Sequence, residues 1–234
     1  MIKGIYTAAR GLDARMKNLE VIANNLANLN TTGFKKEMPF SEVMNQYGQT
    51  QIQQVTDFRQ GDLAQTNNPT DVAISGKGFF VVQTENGQEL TRNGSFKISD
   101  NGYLVDQQGN KVMGQNGSIK IDMLSFEKQK NFTISNNGEV KFGNNVIDSL
   151  MIAKMNDQQD SERDSGTNFS ATGGFQVANQ NDFQIKQGYL EESNVNPIKE
   201  LENMIQVNNE YQSASKMITF LDKSLDEANQ IGKV

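Results

Sequence analysis

The side chains of this chain that could carry acid–base chemistry are carboxylates placed beside turns. Asp100 and Asp106 flank a predicted strand, and Glu85 and Glu89 flank a predicted turn. Paired carboxylates hydrolyse glycosides only at a set separation within a cleft, and acidic residues at turns are usually solvated. The segment 75–78, Ser-Gly-Lys-Gly, lacks the spacing of a phosphate-binding loop and is better explained as a tight turn before a strand. These residues predict no catalytic site.

Cysteine, histidine and tryptophan are all absent from the 234 residues. Without cysteine the chain has no disulfide framework and no thiolate chemistry. Without cysteine and histidine, the usual ligand sets for zinc, haem and iron–sulfur clusters are missing too. We therefore expect no metal site, no cofactor and no enzymatic activity.

The charge balance and the hydropathy pattern exclude two classes of partner. The formal net charge is −6, and no basic run is longer than Lys35-Lys36. Because phosphate backbones bind clustered lysine and arginine, we expect no nucleic-acid partner. No run of about 18 apolar residues occurs, so we expect no direct membrane insertion. The N-terminus lacks the apolar core and cleavage site of a secretory signal, so if the chain is exported we expect a route that does not use a cleaved signal peptide.

The chain begins with a long amphipathic helix, which is predicted across residues 2–29. Its apolar residues follow alternating three- and four-residue steps, which is the pattern of a heptad seam. The seam consists of Ile2, Ile5, Ala9, Leu12, Met16, Leu19, Ala23 and Leu26, with Ile22 and Leu29 beside it. Gly33 then suits a left-handed cap after the helix.

The chain ends with a second helix of the same period. Asn196 is predicted as its N-cap and Pro197 as its first helical residue. Its seam consists of Met204, Val207, Tyr211, Ala214, Ile218, Leu221, Leu225 and Ala228, broadened by Leu201, Ile205 and Met217. Two alternatives stay open for the seams. They close only on each other within one monomer, or, as their width favours, they also contact further partners.

The pattern between the helices is that of short β-strands. The strand candidates are Phe79–Val82, Ser95–Ser99, Tyr103–Asp106, Lys111–Met113, Ser118–Ile121, Asn131–Ser135 and Glu139–Phe142, then one longer strand over Asn144–Met155 and weaker signals over Phe169–Tyr189. Asn-Gly pairs begin at Asn86, Asn93, Asn101, Asn116 and Asn137. Because Asn-Gly suits a type I′ turn, these pairs predict hairpins and hence an antiparallel β domain.

The predicted fold class is α+β. Long N- and C-terminal amphipathic helices pair as a coiled-coil-like shaft, and a central antiparallel all-β domain lies between them in sequence. We expect residues 1–33 and 191–234 to form a terminal helical assembly domain, and residues 71–190 to form the β-rich domain. The polar, glutamine-rich stretch 34–70 is predicted as an extended arm or linker, with a short helix near Phe40–Tyr47.

Three stretches of the chain resemble the flagellar rod and hook family. The first is Ala-Asn-Asn-Leu-Ala-Asn at 23–28, followed by Asn-Thr-Thr-Gly-Phe-Lys at 30–35. The second comprises 70–82 and the Leu-Thr-Arg-Asn-Gly-Ser-Phe segment at 90–96, which look like the first elements of that family's β domain. The third is Gly-Tyr-Leu-Glu-Glu-Ser-Asn-Val at 188–195, similar to the lead-in to the family's C-terminal helix. The resemblance covers nearly the whole chain and is weakest at about 40–60 and 150–180.

The resemblance implies a structural subunit of the flagellar basal-body rod. Such a subunit polymerises through its terminal helices into the axle that transmits torque from motor to hook. The implied partners are further copies of the chain, other axial rod and hook subunits, the flagellar type III export apparatus and the surrounding basal-body rings. The implied location is the rod that spans the periplasm. Both the short total length and the short stretch 35–60 favour a proximal rod subunit, with a distal rod or hook-like axial subunit as the alternative.

The resemblance and the heptad seams together predict the residues of an assembly interface. They are Leu12, Leu19, Ala23, Asn24, Asn25, Leu26, Asn28, Thr31, Gly33, Phe34, Ser193, Asn194, Val195, Met204, Ile205, Tyr211, Ile218, Leu221 and Leu225. Asparagine amides both donate and accept hydrogen bonds, so they can join neighbouring helices in a packed tube.

One departure from the family pattern lies in the C-terminal helix. The family often has Arg-x-Tyr/Phe-Glu there, whereas this chain has Asn209-Glu210-Tyr211-Gln212. Two neutral amides replace the charges, so we expect assembly to depend on apolar seams and amide contacts more than on an ion pair.

A function of a different class stays open at this point. An extracellular adhesin or carbohydrate-binding β protein would explain the central strands, although it leaves the paired terminal helices unexplained.

Overall fold

The computed structural model describes residues 2–39, 55–121, 132–143, 145–156, 161–163, 166–171 and 173–231. Side chains are described within these ranges except at 2–5, 161–162, 171, 225–226 and 228–231. Contacts divide the chain into two compact units. Unit 1 comprises Met1–Leu29, Lys36–Asp57 and Val195–Val234, and unit 2 comprises Asn30–Lys35 and Phe58–Asn194.

Unit 1 is built on the two long helices that the heptad seams predict. Helix α1 spans Ile2–Ala27 and helix α2 spans Pro197–Ile231. The N-cap prediction is confirmed, because Asn196 Oδ1 accepts hydrogen bonds of 3.1 Å from the backbone N–H groups of Ile198 and Lys199. Neither helix, nor any other in the described part of the chain, is long and apolar enough to cross a membrane.

The two helices pack side by side in antiparallel directions. Arg15 Nε lies 3.5 Å from Glu210 Oε2 near the middle of α1, while Asn25 near its end contacts Glu200 near the start of α2. The seam predicted on α1 is partly wrong. Ala9 and Ala23 are exposed and Met16 is 46% exposed. The buried positions on α1 are Asn18, Val21, Ile22 and Asn25. Two of these are asparagines, which a pattern of apolar residues cannot detect.

Helix α2 has two apolar faces. The predicted seam residues Met204, Val207, Tyr211, Ala214, Ile218 and Leu221 are half-buried. The residues predicted to broaden that seam, Leu201, Ile205 and Met217, are exposed instead. At about 3.6 residues per turn they belong, with Ile198 and Phe220, to a face centred about 170° from the seam. The prediction that they widen one seam is therefore wrong.

A short ladder completes the described part of unit 1. Strand β1 (Glu37–Met38) pairs antiparallel with β2 (Val55–Thr56), with Glu37 opposite Thr56. The backbone N–H of Asp57 also donates to the carbonyl of Lys36 at 2.8 Å. The short helix predicted near Phe40–Tyr47 lies outside the described residues.

Unit 2 consists of antiparallel ladders. Its described strands are β3 (Leu63–Gln65), β4 (Val72–Gly76), β5 (Phe79–Thr84), β6 (Gly87–Thr91), β7 (Lys97–Ile98), β8 (Leu104–Val105), β9 (Lys111–Gly114), β10 (Gly117–Ser118), β11 (Phe132–Ile134), β12 (Glu139–Phe142), β13 (Asn145–Ser149), β14 (Ile152–Met155), β15 (Ser161–Arg163), β16 (Asn168–Ala171), β17 (Phe175–Val177), β18 (Phe183–Gln187) and β19 (Tyr189–Glu191).

The largest sheet of the described residues runs in the order β15-β16-β6-β5-β9-β8-β7, and β14 pairs with both β5 and β17. Strands β11, β12 and β13 form a second sheet, and the pairs β18–β4 and β19–β3 form two further ladders. The prediction of a central antiparallel β-sheet domain, and of an α+β fold, is confirmed.

Strand β5 lies at the centre of the unit, because both of its faces are buried. Phe80 and Val82 pack into one apolar cluster, while Phe79 and Val81 pack into another with Leu90. The period-two alternation of a strand places these pairs on opposite faces. The continuous apolar run at 79–82 therefore reflects a strand covered on both sides.

The long strand predicted over Asn144–Met155 is wrong, because the chain changes sheets near Leu150. Strand β13 pairs with β12, whereas β14 pairs with β5 and β17. Between them, Leu150 makes an isolated bridge to Gly114. A run of residues with strand propensity does not reveal which partner each half takes.

The Asn-Gly pairs lie at hairpins in four of five cases, joining β5–β6, β7–β8, β9–β10 and β11–β12. The fifth, Asn93-Gly94, lies outside a hairpin, and its glycine carbonyl accepts from Val72 N–H at 3.0 Å. The type I′ prediction is wrong. In the described chain only Asn67 among non-glycine residues has positive φ, so the asparagines of the pairs lack the left-handed conformation that this turn requires.

Candidate assembly site

The predicted assembly residues fall in both units. In unit 1, Asn25 and Val195 are buried, and Ala23, Asn24 and Ile205 are exposed. The half-buried ones in unit 1 are Leu12, Leu19, Leu26, Asn28, Met204, Tyr211, Ile218 and Leu221. In unit 2, Gly33 and Phe34 are buried, whereas Thr31, Ser193 and Asn194 are half-buried. Leu225 lies within α2, and its side chain is outside the described set.

Gly33 occupies a position in unit 2 that only glycine fits. Its φ is +69°, and an added Cβ would lie 2.4 Å from the backbone nitrogen of Asn93. Its N–H donates to the carbonyl of Glu191 at 2.7 Å. The close approach of the backbones and this hydrogen bond hold residues 30–35 against the segment that leads into α2.

The next residues of this segment are anchored by a buried ion pair. Lys35 Nζ lies 2.5 Å from Glu191 Oε1, and both side chains are fully buried. Lys35 also donates to the carbonyl of Arg59 at 2.7 Å, and the N–H of Gly61 donates to Glu191 Oε1 at 3.1 Å. Full hydrogen bonding of a buried charge offsets the free energy lost when its water is removed.

A second cation shares the same carboxylate. Arg92 Nη1 lies 3.1 Å from Glu191 Oε2, and Arg92 donates to the carbonyls of Ile74 at 3.3 Å and Gly76 at 2.7 Å. Its guanidinium lies 5.1 Å from the ring centroid of Phe79. Burial lowers the pKa of Arg92, and the charge and hydrogen bond of Glu191 oppose this effect. The cation is therefore retained in the core by its carboxylate partner.

Arg163 fixes the aromatic neighbour of Gly33. Its guanidinium lies 4.3 Å from the ring centroid of Phe34 and 5.0 Å from that of Phe169. It donates to the carbonyls of Lys35 at 2.6 Å and Gly166 at 2.8 Å. An arginine between two aromatic rings combines cation–π attraction with packing.

The segments that carry the family resemblance therefore meet at one place in unit 2. Gly33, Phe34 and Lys35 come from the first, Arg92 from the second, and Glu191 from the third. Sequence reasoning selected Gly33 and Phe34 and missed Lys35, Arg92 and Glu191. The available signal was that these three charged residues lie inside the resembling segments, although no local pattern shows that they pair.

A second buried polar contact lies within unit 1, at Asn25 in the Ala-Asn-Asn-Leu-Ala-Asn stretch at 23–28. The fully buried Asn25 exchanges two hydrogen bonds with the backbone of Glu37, donating to its carbonyl at 2.8 Å and accepting from its N–H at 2.9 Å. Asn25 Nδ2 also donates to Glu200 Oε2 at 3.3 Å, and Lys36 Nζ lies 2.9 Å from Glu200 Oε1. Asn24, by contrast, is exposed and contacts Asn28 at 2.9 Å. The two neighbouring asparagines thus have different roles.

The surface left for other molecules in unit 1 includes the outer face of α2. Its exposed apolar residues are Ile198, Leu201, Ile205, Met217 and Phe220. A groove of about 930 Å³ also opens between α1 and α2, lined partly by the small residues Ala8, Gly11, Ser213 and Ala214. Clusters of metal-ligating residues are absent from the described part of the chain.

Family models match three parts of the chain. The model for the flagella basal body rod protein matches residues 5–35, that for the flagellar hook protein FlgE/F/G D1 domain matches 73–142, and that for the flagellar basal body rod FlgEFG protein C-terminal matches 186–231. The chain is also 34% identical to the flagellar basal-body rod protein FlgG of Buchnera aphidicola subsp. Baizongia pistaciae, with 97% of this chain and 98% of that protein covered. The chain belongs to the flagellar basal-body rod family.

Other rod-family relatives carry two different names. The chain is 32% identical to the flagellar basal-body rod protein FlgF of Caulobacter vibrioides, covering 96% of this chain and 97% of that protein. It is also 32% identical to the flagellar basal-body rod protein FlgG of Borreliella burgdorferi, covering 99% of each. The rod-family matches extend over both terminal helices as well as the β domain, so the adhesin alternative, which explained only the centre, is not supported.

Membership of the rod family establishes the general function. The protein is a structural, non-enzymatic subunit of the bacterial flagellar basal-body rod, it acts in motility, and it assembles with other flagellar rod and hook subunits. The prediction made from the three resembling stretches is confirmed at this level.

Proposed function

We propose that the rod subunit polymerises through α1 and α2, and that it occupies the proximal part of the rod. In the assembled axle the paired helices form a coiled-coil-like shaft that transmits torque from motor to hook. The predicted residues on these helices, from Leu12 to Leu225, contribute to this interface through apolar seams and amide contacts. The subunit reaches the rod through the flagellar export apparatus, and the rod contacts the surrounding rings.

The observation that carries the proposal is the second apolar face of α2. One face of this helix packs on α1, yet Ile205 and Phe220 on the opposite face are 63% and 69% exposed. A surface helix of a monomeric protein normally has one apolar face, turned to the core. Large exposed apolar patches mark sites of protein association. The outer face of α2 therefore fits a contact with a neighbouring subunit.

The groove between α1 and α2 supports the same mode of assembly. Small residues at a helix surface let another helix approach closely, as Gly11 and Ala214 would here. A contact between the apolar face of one subunit and the groove of the next joins two different surfaces, so it is heterologous. Repetition of a heterologous contact that does not close produces an open helical array, which is the geometry of a rod.

Alignment length supports the proximal position. Alignments with relatives named FlgF run over 237–245 positions, and those with relatives named FlgG run over 259–269. The chain itself has 234 residues, so it needs fewer gaps against the FlgF-type proteins. We take the FlgF type to be the proximal rod subunit that the sequence resemblance implies.

A substitution on the outer face of α2 tests the role of the helices. In a strain that lacks the wild-type chain, Phe220→Asp should abolish motility and remove the protein from purified basal bodies, because a charge would be buried at the interface. The purified variant should keep its monomer stability within about 0.5 kcal/mol, since the side chain is exposed in the monomer. Phe220→Leu is the matched control and should assemble. Normal rods built from the Asp variant would exclude this face as the contact.

The position along the rod needs a separate measurement. Immunogold labelling of purified basal bodies should place the protein next to the inner-membrane ring. Label found nearer the hook would contradict the proximal assignment and favour a distal rod subunit.

A further inference from the structure

Lys97 and Lys111 of unit 2 lie on one face of its largest sheet, and Lys120 lies beside that sheet. Lys97 is opposite Val105, and Val105 is opposite Lys111. Lys97, Val105 and Lys111 therefore form a row across β7, β8 and β9. Directly opposite residues of antiparallel strands share a face. Tyr103, two residues before Val105, shares that face too, and it bridges to Lys120.

The half-buried ring of Tyr103 contacts two of these lysines. Lys111 Nζ lies 4.5 Å from the ring centroid and Lys120 Nζ lies 5.4 Å from it. Lys97 Nζ donates only to the backbone carbonyl of Gln107, at 3.2 Å. All three lysines are exposed. We call Lys97, Tyr103, Lys111 and Lys120 the lysine patch.

The lysine patch has no acidic partner within the described residues. None of its three ammonium groups makes an ion pair there, although the chain has 28 acidic residues against 22 basic ones. Lys97 and Lys111 are separated by one strand, which corresponds to two strand spacings or about 10 Å, and like charges on one surface repel one another. In an acidic chain, a positive surface whose lysines make no ion pair within the described residues is the complement of an acidic surface on another molecule.

Unit 2 also carries the opposite arrangement, on a different ladder. Strands β3 and β19 pair Leu63 with Glu191, and the next position along places Asp62 opposite Glu192, whose N–H donates to the Asp62 carbonyl at 2.8 Å. Both side chains are exposed, and within the described chain neither forms an ion pair. Like charges directly opposite on paired strands are destabilising. We call Asp62 and Glu192 the acidic pair.

We propose that the lysine patch of one subunit docks on the acidic pair of the next copy of this chain. This contact rests on the proposed function, and it adds a second link between copies, through their β units, to the link made by the helices. Each subunit presents one patch and one acidic pair, so the contact is heterologous and repeats along an open array. It relieves the repulsion at both surfaces in one step.

Charge reversal tests this contact in cells that lack the wild-type chain. The variant Lys111→Glu/Lys120→Glu turns the patch negative, and Asp62→Lys/Glu192→Lys turns the acidic pair positive. When either double variant is expressed alone, the lysine patch and the acidic pair that meet between copies carry charge of the same sign. The amount in purified basal bodies should fall about three- to tenfold, because several exposed charge pairs are lost together.

Rescue by mixing distinguishes a contact between copies from a general defect. When the two double variants are expressed together, the negative patch of one meets the positive pair of the other, and the wild-type pairs remain at the alternate contacts. Incorporation should return to within about twofold of wild type. The quadruple variant, which carries all four substitutions in one chain, should be incorporated into basal bodies equally well. Thermal unfolding of each purified full-length chain should match wild type, because the changes are exposed.

Cysteine cross-linking identifies the neighbour, since the chain has no cysteine of its own. Lys111→Cys with Glu192→Cys, treated with a short bis-maleimide in purified basal bodies, should give a ladder of cross-linked copies. Lys154→Cys with Glu192→Cys is the control and should give none. A cross-link to a different protein would overturn the assignment to a second copy.

Failure of this contact is separable from failure of the helix interface. If Phe220→Asp prevents assembly while both charge-reversal variants assemble normally, the docking of patch on acidic pair is excluded and the helical interface stands. If neither mixing nor the quadruple variant restores incorporation, the two surfaces do not face each other. If Phe220→Asp assembles normally, the helix proposal fails, and the rescue experiment still decides the second contact.

Discussion

Lys35 and Glu191 form an ion pair of 2.5 Å between side chains that are 156 residues apart and fully buried. The pair joins the segment that follows α1 to the segment that precedes α2. Arg92 adds a second cation to the same carboxylate at 3.1 Å. A buried carboxylate with two cations and a backbone N–H as partners is strongly coupled to its surroundings, so its removal leaves uncompensated charge.

Replacement of Glu191 by glutamine should therefore destabilise unit 2 severely. Glu191→Gln keeps the shape of the side chain but leaves Lys35 and Arg92 buried without an anion, and we expect a loss of about 3–5 kcal/mol. Urea unfolding of the purified full-length protein, followed by circular dichroism in the β region, measures it. Glu192→Gln, at the exposed neighbour, should change stability by about 0.5 kcal/mol or less. Equal effects from both variants would contradict the role of Glu191.

Gly33 should be intolerant of any side chain. In Gly33→Ala the left-handed conformation costs about 1–2 kcal/mol, and the clash with the backbone of Asn93 adds to it, so we expect a loss above about 2 kcal/mol. Gly109 provides a control because its φ is +95° and an added Cβ would meet nothing within 4 Å. Gly109→Ala should lose only the part of the unfolding free energy that the left-handed conformation costs. The difference between the two unfolding free energies isolates the close approach at Gly33.

The sequence predicts the elements of unit 1 better than their faces. Apolar periodicity finds both helices, and Asn196 with Pro197 marks the start of α2 correctly. Periodicity fails on α1 because Asn18 and Asn25 occupy buried positions there. It also merges the two faces of α2, since a heptad pattern cannot show which apolar residues another helix covers.

For unit 2 the limit is pairing between distant parts of the chain. Asn-Gly pairs locate four hairpins, yet the change of partner near Leu150 depends on strands far away in sequence. The contact of Glu191 with Lys35 and Arg92 is invisible for the same reason. The resemblance to the rod family selected the segments that meet there, without indicating that charged side chains hold them together.

Glu139 should titrate at a lower pH than an ordinary glutamate. Hydrogen bonds from Lys141, at 2.8 Å, and from Asn137 lower the pKa of this carboxyl, and the charge of Lys141 adds to the effect. A carboxyl with a lowered folded-state pKa stabilises the fold above its unfolded pKa. That stabilisation is lost as the pH falls through the folded-state pKa.

An NMR titration of the Glu139 side chain measures this shift directly. Lys141→Met should move the pKa of Glu139 up towards its ordinary value of about 4.3, because the hydrogen bond and the positive charge are both removed. Lys154→Met, on a different strand, should leave the titration unchanged. A midpoint that stays low in the Lys141 variant would mean that Lys141 does not cause the shift.

The neighbouring asparagines of α1 should respond oppositely to the same change. Asn25→Asp removes the amide that donates to Glu37 O at 2.8 Å and places a second carboxylate beside the buried Glu200. We expect unit 1 to lose about 2–4 kcal/mol at neutral pH, from an unmade hydrogen bond and from repulsion. Asn24→Asp adds the same charge to an exposed side chain and should change stability by about 0.5 kcal/mol or less.

The pH dependence of the Asn25 variant separates repulsion from the lost hydrogen bond. Two carboxylates that share a site cannot both stay ionised easily, so the folded-state pKa of the pair rises and protonation restores part of the stability as the pH falls. Urea midpoints of Asn25→Asp and Asn25→Ala, compared at pH 7 and pH 5, should therefore converge at the lower pH. If the gap between them stays constant, the added charge does not face Glu200, and the contact between α1 and α2 at this point is not the one described.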